Sequence, residues 1–212
     1  MSTFLEIPTL PPRSIVLTPP LSDEEFERLC ERTEFAFVER TKEGVILMNA
    51  PAGGATSDGN REITAQLSNW WKEHRRGRAF DSSAGFFLPD GSMLNPDAAY
   101  LTAKQLSGLT RDDFAHFLRL APAFVVELRS FTDRLADMQR KMEAWIANGV
   151  ELGWLVDPFA KQVHIYEPRA APRIEAGSCV AGTGPVDGFI LDLEEIWRCY
   201  ELTPRRGRVK AA

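Results

Sequence analysis

The order of apolar and polar positions predicts a strand in the segment APAFVVELRS, residues 121–130. The segment begins with an apolar run and then carries two opposite charges, Glu127 and Arg129. Because strand side chains alternate between faces, Val125, Glu127 and Arg129 share one face of this strand. That face changes from apolar to ionic along its length, which is unusual for a strand that is otherwise built to be buried.

The same patterns predict the other elements of the chain. Further strands are predicted over residues 35–50 (a hairpin), 77–88, 92–101, 152–158 and 161–168. Helices are predicted over residues 21–32, 60–74, 134–148 and the second half of 189–202. Ser22 and Glu25 form the pattern of a capping box at the first helix. Gly149 is expected to end the third.

This alternation of helices with strands predicts an α/β (α+β) fold, a mixed sheet flanked by helices with an N-terminal helix and hairpin. The sequence contains no internal repeat and no linker long enough to divide it. We therefore expect residues 1–20 to be an N-terminal extension, residues 21–200 a single domain, and residues 201–212 a basic C-terminal tail.

The net charge of the chain bears on which partners it can bind. The chain of 212 residues carries a formal charge of −5, which disfavours broad coating by nucleic acid because phosphate binding usually needs a basic surface. Two basic stretches stand out, residues 72–78 and the tail. The first is better interpreted as a solvated helix end, where cations favour the helix dipole, and the tail as a disordered end.

Cysteine content and hydropathy bear on location. The three cysteines are widely spaced and form no C-x-x-C pair, so we expect reduced thiols and no zinc site. The N-terminus lacks the basic and apolar regions of a signal peptide, and no apolar stretch is long enough to span a bilayer. The sequence therefore predicts a cytoplasmic protein without a membrane segment.

The glycine-rich segment PAGGATSDGN, residues 51–60, is predicted to be a loop. No G-K-[ST] follows its glycines, and the preceding strand does not lead directly into it. Nucleotide binding by a phosphate-binding loop is therefore not expected.

Two acidic residues are the main candidates for chemistry. Asp97 follows Pro96 at the start of a predicted strand, and Glu127 stands near the end of another. If the two strands are neighbours, their carboxylates come together, and a buried acid pair needs a cation such as Mg²⁺ between its oxygens. The alternative is that Glu127 and Arg129 pair with groups elsewhere on the sheet, and spacing alone favours this alternative.

A family resemblance favours the acid pair. Four segments resemble, in order, the Uma-two family of restriction-endonuclease-like proteins, a branch of the PD-(D/E)XK nuclease superfamily: NPDAAYL, APAFVVELRS, DRLADMQRKMEAWIANGVELGWLVDP and GFILDL. Three upstream segments also resemble that family: SDEEFERLC, PAGGATSDGN and FDSSAGFFLPDG. The resemblance extends over about residues 21–193.

The resemblance implies a four-stranded mixed sheet with Asp97 and Glu127 as ligands of Mg²⁺ or Mn²⁺. The ion would activate a water molecule for attack on a phosphodiester. Arg129 stands where the superfamily usually has a lysine, and because arginine stays protonated it can hold a phosphate but cannot act as a base. Lys141, on the following helix, is the other candidate, as in some branches of the superfamily. A second departure is Phe131, where many relatives have proline.

The resemblance therefore implies a Mg²⁺-dependent endonuclease that hydrolyses DNA. A homodimer is expected because cleavage of a duplex needs two cuts, which a two-fold dimer can make. The alternative is a non-catalytic descendant of the fold that acts as a binding or regulatory protein. The acidic composition and Arg129 favour this alternative, and the intact acid pair favours the enzyme.

Overall fold

The structure is a computed structural model that describes residues 13–32 and 37–201. Its helices are α1 (Asp23–Glu31), α2 (Gly54–His74), α3 (Ala103–Leu106), α4 (Leu135–Ala147) and α5 (Leu193–Tyr200). Its first strands are β1 (Arg13–Ile15), β2 (Phe37–Arg40), β3 (Ile46–Asn49), β4 (Arg78–Phe80), β5 (Phe86–Phe87), β6 (Met93–Leu94) and β7 (Ala98–Leu101). The later strands are β8 (Phe124–Leu128), β9 (Leu152–Asp157), β10 (Gln162–Tyr166), β11 (Arg173–Ala176), β12 (Cys179–Ala181) and β13 (Ile190–Asp192). Short 3₁₀ turns occupy Asp113–Ala115 and Gly184–Val186.

The largest sheet has six strands in the order β11-β10-β9-β8-β7-β4. Its central pair, β8 and β9, is parallel, and its other neighbouring strands are antiparallel. On one face, Val126 and its neighbours pack with α2 and α5, whereas Val125 packs with Met142 and Trp145 of α4 on the other. The predicted mixed sheet flanked by helices is confirmed, with six strands rather than the four that the family resemblance implied.

A second sheet of five strands, in the order β1-β3-β2-β6-β5, lies with α1 at the N-terminal end of the fold. Phe26 of α1 is buried against it, and the predicted capping box of Ser22 and Glu25 is present. Strand β1 shows that part of the predicted extension 1–20 pairs with β3. Strands β12 and β13 form a separate pair. The tail beyond Glu201 lies outside the described residues.

Two predicted strands are in fact each divided between the two large sheets. The segment 77–88 gives β4 to the six-stranded sheet and β5 to the five-stranded sheet, and the segment 92–101 is divided between them as β6 and β7. Pro96 marks the second break, where proline lacks the N–H that a continuous strand would use. The prediction of two unbroken strands was therefore wrong, and the break places residues 95–97 between the sheets.

Helix α2 begins at Gly54, so the prediction of a loop over residues 51–60 was wrong for its last seven positions. The buried residues of this helix recur at helical spacing: Thr56, Gly59, Ile63 and Leu67. A Cβ atom at Gly59 would lie 2.7 Å from Cδ2 of Leu128, so a larger residue here would require the Leu128 side chain or the helix to shift. Gly149 follows α4 with φ +106°, as predicted for a residue that ends a helix.

None of the helices within residues 13–32 and 37–201 combines the length and the apolar character needed to cross a membrane.

Candidate active site

Asp97 lies at a bend immediately before β7, where its carboxylate is held from two directions. Its Oδ2 accepts a hydrogen bond from the Leu128 N–H at 2.7 Å, and its Oδ1 accepts one from Asn60 Nδ2 at 2.6 Å. The antiparallel register pairs Ala98 with Val126, which brings Asp97 to the level of Glu127. The two predicted acids therefore meet at the same end of neighbouring strands.

Glu127 is buried on the face of β8 that packs against α4, with 2% of its surface exposed. Its Oε1 accepts a hydrogen bond from Trp145 Nε1 at 2.8 Å. Lys141 Nζ lies 2.9 Å from Oε1 and 3.0 Å from Oε2 of the same carboxylate. Because Lys141 and Trp145 are four residues apart, one face of α4 presents both donors to Glu127.

Lys141 also joins the two large sheets. Its Nζ lies 2.9 Å from Oε1 of Glu39 on β2 and donates to the Asn95 carbonyl at 2.7 Å. An ammonium has three N–H donors, and here three different residues supply acceptors for them. The side chain is therefore held in one place, between β2, the bend before β7 and the end of β8.

Glu39 is a site residue that the sequence analysis missed. It is 5% exposed, and its carboxylate accepts hydrogen bonds from the Asn95 N–H at 3.0 Å and from Asn49 Nδ2 at 3.2 Å. A charged residue inside the otherwise apolar start of a hairpin is a sequence feature that could have identified it. Its partnership with Lys141 depends on contact between the two sheets, which spacing along the chain does not reveal.

The site contains more carboxyl groups than cations. The carboxyl groups of Glu127 and Glu39 contact a single ammonium, that of Lys141, and Asp97 lies close enough for its charge to act on Glu127. Burial raises the pKa of Glu127 to about 8, and the charges of Asp97 and Glu39 act in the same direction while Lys141 opposes them. Burial also raises the pKa of Asp97 against the effect of the Leu128 N–H. Although burial opposes it, Glu127 and Glu39 together raise the pKa of Lys141.

The donor atoms of this site fit a hard divalent cation. Besides the carboxylates, the side-chain oxygens of Asn60 and Asn95 are buried without a hydrogen-bond partner, and oxygen-only surroundings suit Mg²⁺. Within the described part of the chain, no three acidic, histidine or cysteine side chains cluster closely enough to hold a metal by themselves. Mg²⁺ commonly keeps several waters and takes one or two carboxylates, so Asp97 and Glu127 suffice as a protein ligand set.

Arg129 occupies a different environment from the one expected for it. Its Nη1 lies 2.9 Å from Oδ2 of Asp157, a buried carboxylate at the end of β9, and its Nε donates to the Asp133 carbonyl at 3.4 Å. The other oxygen of Asp157 accepts hydrogen bonds from the N–H groups of Phe159 and Ala160. Of the two cationic candidates from the sequence, Lys141 is therefore the one that contacts Glu127.

These features define a mixed-sheet protein of nuclease-like fold. A family model described as "Putative restriction endonuclease", that of Uma2, matches residues 23–193, and the chain belongs to this family. The crystal structure of "a putative nuclease belonging to DUF820" from Anabaena variabilis ATCC 29413 is similar, with a TM-score of 0.68 and 18% sequence identity. The similarity covers 85% of this chain and 99% of that one, and at this identity it shows the shared fold. No curated protein matches the chain.

Proposed function

We propose that the protein is a Mg²⁺-dependent endonuclease that hydrolyses phosphodiester bonds of DNA. The observation that carries this proposal is the buried cluster at the ends of β7 and β8, in which Glu127 and Glu39 contact Lys141 and the carboxyl group of Asp97 lies beside the end of β8. Membership of a family described as a restriction endonuclease supports it.

Asp97 and Glu127 would hold Mg²⁺ or Mn²⁺, which when bound supplies an activated water and neutralises charge on the phosphate. The Leu128 N–H and Asn60 orient the carboxylate of Asp97, so that its oxygens stay in place without a metal. Trp145 does the same for Glu127. Such fixed orientation is what a metal site needs, because ligands already in position lose little freedom on binding.

Lys141 is our candidate for the role of the superfamily lysine. Its ammonium contacts Glu127 and carries the positive charge that a phosphate and its developing negative charge require. Arg129 was the other candidate, as a clamp on the phosphate. Its guanidinium is engaged by Asp157, so we assign it to holding the end of the parallel strand pair.

A binding or regulatory protein without catalysis is the second candidate function. The observation that favours it is the complete set of acceptors around Lys141, which leaves the ammonium bound to the protein itself. In such a protein the cluster would only join the two sheets.

Metal titration combined with a nicking assay distinguishes the two functions. Mg²⁺ and Mn²⁺ would be titrated into the wild-type protein and into Asp97→Ala by calorimetry, and supercoiled plasmid would report cleavage. Asp187→Ala removes an exposed acid elsewhere and serves as the matched control. We expect binding and nicking by the wild type and by the control, and neither by Asp97→Ala. Equal absence of metal binding in all three proteins would reject the nuclease and leave the binding protein.

The proposal includes a homodimer and a location in the cytoplasm. A two-fold homodimer would place two sites on one duplex, and a monomeric mass in light scattering would count against it. The three cysteines, Cys30, Cys179 and Cys199, have free thiols, which agrees with the reducing cytoplasm proposed for the protein.

A further inference from the structure

Asn60 of α2 carries a buried amide oxygen that has no hydrogen-bond partner among the described residues. Its Nδ2 donates to Oδ1 of Asp97 at 2.6 Å, but its own Oδ1 accepts no hydrogen bond. A buried acceptor without a donor costs free energy, so most buried side-chain acceptors in native proteins have one. The packing of the fold alone therefore does not explain this oxygen.

Unpartnered oxygens of this kind occur only at the candidate active site within the described part of the chain. Four buried side-chain atoms there lack a partner, and two of them are the indole nitrogens of Trp70 and Trp154. The other two are the oxygens of Asn60 and Asn95. Asn95 contacts the site through its backbone N–H and carbonyl, whereas Asn60 contacts it through the same amide group that carries the unpartnered oxygen.

The position of this oxygen follows from the packing of α2 against the end of β8. Gly59 comes close to the side chain of Leu128, and the Leu128 N–H donates to Oδ2 of Asp97 at 2.7 Å. The carboxyl group of Asp97 is thus held between α2 and β8. Because Oδ1 and Nδ2 of Asn60 are attached to one carbon, its Oδ1 lies no farther than about 5 Å from Oδ1 of Asp97. The unpartnered oxygen is therefore beside a proposed metal ligand.

The charges of the site favour a neutral group as a further ligand. Asp97 and Glu127, when ionised, balance the charge of one divalent cation, and Glu39 already contacts Lys141. A further carboxylate would add negative charge that nothing balances in the metal-free fold. Amide carbonyl oxygens bind hard cations without adding charge. The side chain of Asn60 meets this requirement.

We propose that Asn60 binds the divalent cation through Oδ1, as a third oxygen ligand beside Asp97 and Glu127. This inference rests on the proposed function, since it takes the metal site as given, and it assigns a residue of α2 to that site. The amide then has two tasks, because Nδ2 holds the carboxyl group of Asp97 and Oδ1 binds the ion. The alternatives are that Asn60 only orients Asp97, or that a buried water is the partner of its oxygen.

Asn60→Asp separates a ligand from an orienting group, because aspartate keeps the oxygen but loses the N–H that holds Asp97. Mg²⁺ would be titrated by calorimetry into the wild type, Asn60→Asp and Asn60→Leu. We expect Asn60→Asp to bind Mg²⁺ about tenfold more tightly, since ligand charge raises affinity, and Asn60→Leu about tenfold more weakly. If neither variant binds Mg²⁺ more tightly than the wild type, the proposal is wrong.

Asn69→Asp is the matched control. It makes the same change at an exposed position of the same helix, about 14 Å farther along the helix axis. We expect this variant to bind Mg²⁺ like the wild type. An equal gain in Asn60→Asp and Asn69→Asp would mean that the added charge acts from a distance, which would overturn the proposal.

Asn60→Cys tests direct contact with the metal, because a thiolate bound to Co²⁺ gives a charge-transfer absorption that oxygen ligands do not give. Asn69→Cys, which has the same number of cysteines, is the control. We expect the absorption in Asn60→Cys, its loss when Asp97→Ala is added, and none in Asn69→Cys. Equal spectra of Asn60→Cys and Asn69→Cys would show that position 60 does not contact the ion, and the proposal would be wrong.

The outcomes separate the role of Asn60 from the proposed function. If the wild type binds Mg²⁺ through Asp97 but the variants at position 60 behave like their controls at position 69, only the role of Asn60 is wrong. If Asn60→Cys shows the absorption and the wild type binds Mg²⁺ without nicking plasmid, only the nuclease function is wrong. Absence of Mg²⁺ binding by both the wild type and Asn60→Asp would reject both.

Discussion

Two buried pairs of opposite charge lie at the ends of the parallel strands β8 and β9, and they differ in how their charges balance. In the first, Arg129 meets Asp157 at 2.9 Å, one cation to one carboxylate. In the second, Lys141 lies at the same distance from Glu127 but also meets Glu39, with Asp97 close enough to raise the pKa of Glu127. The first pair is balanced, and the second has more carboxyl groups than cations.

The difference separates a structural pair from a site suited to chemistry. Both oxygens of Asp157 are engaged, one by Arg129 and the other by backbone N–H groups, so the pair needs nothing further. Buried negative charge in excess of its partners costs stability, because desolvation is not offset. We propose that the surplus of carboxyl groups is kept, beside unpartnered amide oxygens, because a cation binds there.

Removing Lys141 should give the largest effect on stability. In Lys141→Met the methylene chain is retained while the single cation of the cluster is lost, so the buried carboxyl groups of Glu127 and Glu39 keep only neutral hydrogen-bond donors as partners. We expect a loss of about 3 kcal/mol at pH 8 without metal, which lowers Tm by roughly 6–12 °C in a domain of this size. Thermal unfolding followed by circular dichroism measures it.

Adding Mg²⁺ to Lys141→Met tests whether a cation binds at this cluster. Because a divalent cation can take the place of the lost ammonium, Mg²⁺ should raise the Tm of Lys141→Met more than that of the wild type. Arg140→Met, which alters the exposed neighbour on the same helix, is the control and should change Tm little. A Tm loss that Mg²⁺ leaves untouched would contradict a cation site at this cluster.

Removing Arg129 should give a smaller loss that metal does not restore. Asp157 is buried, but it keeps the N–H groups of Phe159 and Ala160 as partners, and Arg129 is itself partly exposed. We therefore expect Arg129→Ala to lose about 2 kcal/mol, below the usual cost of breaking a fully buried pair, with the same Tm loss in EDTA and in Mg²⁺. Unchanged stability with weakened cleavage would instead support the role of Arg129 as a phosphate clamp.

Local sequence patterns predicted several residues of the candidate site and several elements of the fold. Alternation along residues 121–130 placed Val125 and Glu127 on one face, and the structure puts that face against α4. The P-D dipeptide and the family resemblance directed attention to Asp97. The N-terminal helix, its capping box and the hairpin were also predicted correctly.

The features that the sequence analysis did not predict depend on contacts between elements that are distant in sequence. Glu39 joins the site only because the two sheets meet at Asn95, and the break at Pro96 interrupts what seemed one strand. Asn60 reaches Asp97 from α2, which packs closely against Leu128 of β8 at Gly59. A glycine that serves close packing looks, in sequence, the same as one that serves a loop.

The raised pKa of Glu127 predicts that the stability of the protein depends on pH. With a pKa of about 8 in the folded protein against an ordinary value of 4.5, Glu127 keeps its proton in the fold while the unfolded chain releases it. This contribution to stability is complete below about pH 4.5 and is lost as pH rises through 8. Urea unfolding of metal-free protein between pH 5 and about 8.5 should show it, and Glu127→Gln should flatten the slope.

The smallest expected effect on stability belongs to Glu39→Gln. The amide oxygen can still accept from the Asn95 N–H, so the free energy of unfolding should change by less than about 1 kcal/mol. Lys141 loses one of its two carboxylate partners and interacts more strongly with Glu127, where it competes with a divalent cation for the same oxygens. We expect Mg²⁺ affinity and the cleavage rate to fall about tenfold, as is usual when a group that orients a metal ligand is removed.

Glu62→Gln is the control, because Glu62 pairs with Arg61 and Gln66 on α2 and has no contact with Lys141. Equal Mg²⁺ affinity in both variants, measured by calorimetry, would show that Glu39 only joins the two sheets.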